Sequence, residues 1–146
     1  MKEGLSKVIF VLIQFTLLFY MAFITPWKNF SVAALVIITS ALVIGVWAIL
    51  SMGITNLTIF PAPKKNIKFT TTGPYKWVRH PMYSSVLLFS LGMLVMNPVW
   101  VMILAYILLL LDLVLKLRYE ENKLLHKLEE YKEYQSKTYR IIPFIY

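Results

Sequence analysis

Two stretches of this chain hold most of its polar chemistry. The first is Gly73-Pro74-Tyr75-Lys76-Trp77-Val78-Arg79-His80-Pro81-Met82-Tyr83. The second is Arg118-Tyr119-Glu120-Glu121, with Lys137 and Arg140 further on. An arginine, a histidine, tyrosines and two carboxylates gathered at one place would suit a cation or a proton transfer. Each part also has a plainer reading. Arg79 and His80 would serve as interfacial anchors, with Trp77 and Tyr83 as an aromatic belt. Glu120 and Glu121 would form a solvated helix face, and Lys137 and Arg140 would bind lipid head groups. Several other sites are excluded. No glycine-rich phosphate loop occurs. The two histidines, His80 and His126, have no second ligand at metal spacing, so no metal site is expected. With no cysteine there is no disulfide, thiolate site or cysteine nucleophile.

The elements that must position these residues are apolar. Hydrophobic residues make up 59% of the 146, above the roughly 45–50% of a soluble domain. No charge occurs from Val8 to Ile24, from Ser31 to Met52, or from Met82 to Leu111. A helix needs about 20 apolar residues to cross the hydrocarbon core. The third stretch is too long for one ordinary span, and Asn97-Pro98 marks a turn within it. Four spans are therefore expected, at about 7–25, 31–52, 81–96 and 99–117, the third of them short. Ile24-Thr25-Pro26-Trp27 offers no signal-peptide cleavage site, so the first span is expected to be retained. The fold class is all-α, a polytopic membrane helical bundle forming a single domain over 1–146. Residues 56–68, with Pro61, Pro63 and three lysines, read as an extended interfacial loop. Thr72-Gly73-Pro74 reads as a turn starting a helix. A C-terminal cytoplasmic amphipathic helix is expected over about 118–136, because Leu117, Glu121, Leu124, Leu128 and Tyr131 recur at helical spacing. Glu133 and Lys137 would form an i,i+4 pair if it runs that far. Asp112, inside the fourth span, is costly in hydrocarbon, so an Asp near the interface that pairs with Lys116 one turn on, or snorkels to water, is expected. Gln14 is expected to tie helices together.

The formal charge is +8, and its placement orients the chain. Lys2 and Lys7 precede the first span, Lys64 to Arg79 carry five basic residues, and Lys116 onward carries seven. The positive-inside rule then puts both termini and the long loop in the cytoplasm, which requires an even number of spans. Basic residues that flank spans point to anionic head groups rather than nucleic acid. The hairpin of spans three and four would bring the two polar stretches together.

The ordered combination Gly-Pro-Tyr-x-x-Val-Arg-His-Pro-x-Tyr, a hydrophobic hairpin, Arg-x-Glu-Glu-x-x-Leu, Glu-Tyr-x-x-Tyr and a terminal Pro-Phe-Ile resembles one family. It is similar to the isoprenylcysteine carboxyl methyltransferases and their bacterial and archaeal relatives, which include phospholipid methyltransferases. The resemblance covers about 71–145. It implies a non-Rossmann methyltransferase that binds S-adenosylmethionine on the cytosolic side. It implies that Tyr75, Val78, His80, Pro81 and Tyr83 help form the cofactor pocket. Glu120 and Glu121 would lie beside it, one of them touching the cofactor, and Arg140 or Lys137 would sit near the acceptor. An acceptor carboxylate would need no base; an acceptor amine would give its proton to Glu120, Glu121 or His80. The family usually has glycine where this chain has Ser85, which implies different local packing there.

The expected function is methylation of a lipid or lipid-like acceptor, a prenylcysteine carboxylate or a phospholipid amine, with the bilayer as the other partner. The alternatives are a membrane reductase using NADPH and a non-catalytic membrane scaffold. The small size and reduced N-terminal half suit a prokaryotic cell membrane.

Overall fold

A computed structural model describes residues 2–28, 31–53, 70–143 and 145; the loop expected over 56–68 lies outside the described residues. The described chain is helical: α1 (Lys2–Ile24), α2 (Val32–Met52), α3 (Pro81–Met96), α4 (Trp100–Lys127) and α5 (Glu130–Lys137). A 3-10 turn, Gly73–Lys76, precedes α3. No strand forms among the described residues, where one isolated parallel bridge joins Val78 to Tyr139.

Local chemistry sets the helix ends. Ser31 caps α2, its Oγ accepting from Ala34 N–H at 3.1 Å. Gly53, at φ 79°, closes that helix in a conformation open to glycine. Pro81 begins α3, where its missing N–H costs nothing. Asn97 ends α3, and its Nδ2 donates to Ile24 O at 2.9 Å, fastening the α3–α4 turn to the end of α1.

Helices α2 and α3 pack through small residues. Ala34, Ala41 and Ala48 are buried on α2, and a Cβ on Gly92 would lie 2.4 Å from Ile38 Cγ1, so the helix axes come close only because Gly92 has none. Ser85 fits the same seam. Its Oγ donates to Ala41 O at 2.8 Å, and a Cβ on Gly45 would meet it at 2.6 Å. The packing role of a glycine at 85 is thus taken by Gly45 on the facing helix. Helix α4 lays Met102, Ala105, Leu109, Leu113 and Leu117 into the core with Met21 of α1 and Met93 of α3.

The outer surface is apolar: Phe23 is 87% exposed and Val32 80%. A surface of this kind is suited to lipid. By length and composition α2 and Trp100–His126 can each cross a membrane; Val8–Ile24 and Pro81–Met96 are shorter apolar helices. These four elements fall where the four spans are expected. The C-terminal region departs from expectation. The single helix expected over 118–136 is two elements: α4 runs on to Lys127, and the chain breaks at Leu128 (φ −134°, ψ 108°) before α5. Beyond the break Tyr131 of α5 is buried, at 2% exposure.

Candidate functional site

The α3–α4 hairpin sets the first polar stretch beside the second, and Glu121 lies where they meet. Its side chain is 3% exposed. Arg79 Nε donates to Glu121 Oε1 at 2.7 Å, and Arg140 Nε donates to Oε2 at 3.0 Å. His80 Nε2 lies 3.3 Å from Oε1, without the alignment of a hydrogen bond. Burial pushes the Glu121 carboxyl up, but the close approach of His80 and the hydrogen bond and charge of Arg79 outweigh it and hold it down at about 2.

Arg79 reaches further than this carboxylate. Its second donor group, Nη1, gives hydrogen bonds to the backbone carbonyls of Gln135 (3.0 Å) and Thr138. The backbone repeats the tie. Arg79 N–H donates to Tyr139 O at 2.8 Å, Tyr139 N–H to Trp77 O at 2.9 Å, and His80 N–H to Arg140 O at 3.0 Å. Tyr134 donates its hydroxyl to Tyr75 O at 2.7 Å, and Ser84 Oγ donates to Ile141 O at 2.6 Å. The segment after α5 is therefore bolted across the start of α3, and Arg140 reaches Glu121 because of it.

A second face is built from Glu120, His80, Tyr83 and Tyr75. Tyr83 donates its hydroxyl to Glu120 Oε1 at 2.7 Å. His80 and Tyr83 stack with rings 5.4 Å apart and 3° from parallel, which makes a flat aromatic wall. Glu120 Oε2 lies 3.7 Å from His80 Nδ1, and the Glu120 side chain is 21% exposed. Tyr75 Oη and His80 Nε2 are enclosed and have no hydrogen-bond partner among the described residues. Burial pushes the Tyr75 hydroxyl up, with the charges of Tyr134 and Glu120 adding, so it is held as a neutral donor.

The structure places the remaining candidates as follows. Val78 and Pro81 are buried beside this wall and contribute packing. Gly73, at φ 59°, starts the turn that carries Tyr75, and lies so close to α2 that a Cβ would meet Ser51 Oγ at 2.1 Å. Lys137 is not brought in. It lies on the exposed side of α5, its Nζ 2.6 Å from Glu133 Oε1, the i,i+4 pair expected from the sequence. Sequence reasoning missed Arg79 as the tie to the C-terminal segment, along with Gln135 and Thr138. The only signal was an arginine set between a turn and a proline-started helix, where an anchor was as good a reading.

A bound S-adenosylmethionine would bring a sulfonium cation, an amino-acid end and an adenine. The second face offers such a molecule a partly exposed carboxylate, an aromatic wall and two enclosed polar atoms that make no hydrogen bond among the described residues. Among the described residues no group of three His, Cys, Asp or Glu side chains is placed to hold a metal ion.

A family model described as phospholipid methyltransferase matches residues 29–131. No curated protein and no solved structure matches the chain.

Proposed function

The chain belongs to the phospholipid methyltransferase family, and from that premise we propose that it is a membrane enzyme that moves a methyl group from S-adenosylmethionine to a lipid or lipid-like acceptor. The observation that carries this reading is the second face: Glu120, the stacked His80–Tyr83 pair, and Tyr75 Oη and His80 Nε2, which make no hydrogen bond among the described residues. When bound, the cofactor supplies an electrophilic methyl on sulfur. The chain supplies position, a matched field and a dry surround. Glu120 is the carboxylate that faces the cation, since its side chain is partly exposed while Tyr83 steadies Oε1. Glu121 is committed to Arg79 and Arg140 and acts by holding the site together. Tyr75 and His80 offer polar atoms to the cofactor's amino-acid or adenine end. The C-terminal segment covers the site from the aqueous side, and Arg140, 31% exposed at its side chain, borders the path of the acceptor.

In the membrane the four apolar stretches, about 7–25, 31–52, 81–96 and 99–117, are read as four spans with both termini in the cytoplasm, the distribution of Lys and Arg being the support. That topology puts the site at the cytoplasmic face, where a water-soluble cofactor and a bilayer-borne acceptor meet.

The test is transfer of labelled methyl from S-adenosylmethionine into the organic extract of proteoliposomes. Wild type is expected to label lipid. Glu120→Gln, which keeps the shape and loses the charge, is expected to bind the cofactor roughly tenfold more weakly, about 1.4 kcal/mol. A folded wild type that binds the cofactor but labels no lipid extract from any source would overturn the lipid acceptor.

A further inference from the structure

Helix α4 carries a second polar group, deeper than the cofactor-facing wall. Asp112 and Lys116 lie one turn apart and are 5% and 4% exposed. Ionisable groups at that depth are costly and tend to mark function. Lys116 gives its hydrogen bond to Gln14 Oε1 of α1 at 2.9 Å, and its Nζ lies 5.2 Å from the centre of the Tyr83 ring. Lys116 thus bonds to Gln14 rather than to Asp112, which stays near enough to feel the lysine's charge. Asp112 Oδ2 is enclosed and has no hydrogen-bond partner among the described residues. A buried acceptor left this way calls for a donor.

The position of this acceptor relates it to the site. Asp112, Lys116 and Glu120 recur every fourth residue and so form one stripe on α4, about 12 Å from end to end at 1.5 Å per residue. Tyr83 bridges its upper half, with its ring under Lys116 and its hydroxyl on Glu120. The stripe thus leads from within the bundle to the wall described above. Gln14 belongs to α1, which lies outside the family-matched residues 29–131.

We propose that Asp112, Lys116 and Gln14 form an intramembrane site for the head group of a lipophilic molecule that donates an N–H or O–H hydrogen bond to Asp112 Oδ2. That this molecule is the methyl acceptor rests on the proposed function; the binding itself does not. An ionised carboxylate head group has no proton to give and would set a second negative oxygen against Asp112. An amine and an alcohol both supply the missing donor.

Binding of tritiated dodecylamine, dodecanol and dodecanoate to the detergent-solubilised full chain at pH 8, by scintillation proximity, tests this. Saturable binding of the amine or the alcohol, at least tenfold tighter than dodecanoate, is expected, and whichever binds tighter identifies N–H or O–H as the donor. Asp112→Asn is expected to weaken that binding at least tenfold while leaving the melting temperature and S-adenosylmethionine affinity near wild type. Dodecanoate binding as tightly as the other two in wild type would overturn the site, and this comparison does not depend on the variant folding. So would an unchanged affinity in a folded Asp112→Asn. Cofactor titration of the same samples separates the two claims. Cofactor binding without amine or alcohol binding removes this site and spares the methyltransferase. The reverse result removes the methyltransferase and spares the site.

Discussion

Glu121→Ala is expected to be among the most damaging single substitutions in the protein. The carboxylate is buried and answers two guanidinium groups, Arg79 at 2.7 Å and Arg140 at 3.0 Å. Its removal leaves Arg79, 9% exposed, as a buried charge without its carboxylate. Breaking a buried pair by deleting one partner costs about 3–5 kcal/mol, a large share of the roughly 5–15 kcal/mol that holds a domain folded. Denaturant titration in mild detergent should register a loss of that size, with a smaller one for Glu121→Gln, which keeps a hydrogen-bonding shape. The pH dependence follows from the same contacts. The folded-state value of Glu121 is lowered to about 2 from an ordinary 4.5. Its contribution is therefore complete above about 4.5 and is lost as the pH falls toward 2. The gap in melting temperature between wild type and Glu121→Gln should close over that window. A gap that is constant from pH 6 to pH 2 would contradict the assignment.

Arg79→Lys is expected to free the C-terminal segment although the charge is kept. The guanidinium spreads its donors over Glu121 and the carbonyls of Gln135 and Thr138. An ammonium is a point donor on a flexible stem and cannot span those acceptors at once. Hydrogen bonds involving a charged group contribute about 1.5–3 kcal/mol each, so loss of one or two should open the segment locally. Trypsin cleavage after Arg140 reads this directly, and an increase of at least tenfold over wild type is expected. Arg79 and Glu121 share one network, so the double variant Arg79→Lys/Glu121→Ala should lose less stability than the two single losses added together. Simple additivity would mean that the segment is held by its backbone bonds alone.

These two residues show where sequence reasoning reaches and where it stops. The meeting of Arg79-His80 with Glu120-Glu121 was legible because an apolar run broken at Asn97-Pro98 must fold back on itself, and a hairpin fixes which ends are neighbours. The tie from Arg79 to Gln135 and Thr138 was not, because its acceptors are backbone carbonyls, which every residue carries. The break at Leu128 was hidden by side chains that keep helical spacing across it. That break also sets the phase of α5: Tyr131 turns inward, while Glu133 and Lys137 face out and pair with each other. Lys137, expected near the acceptor, is therefore exposed and paired with Glu133. The departure at Ser85 was visible, but its compensation was not, since the partner glycine, Gly45, lies on another helix forty residues earlier.

The central claim is that the face built by Tyr75, His80, Tyr83 and Glu120 binds S-adenosylmethionine. Calorimetric titration of that molecule into the purified full chain in mild detergent, with wild type beside His80→Ala, tests it most directly. Saturable one-to-one binding to wild type is expected, weakened at least tenfold in a variant that melts near the wild-type temperature. No heat of binding to a folded, monodisperse wild type, with or without acceptor lipid present, would contradict it.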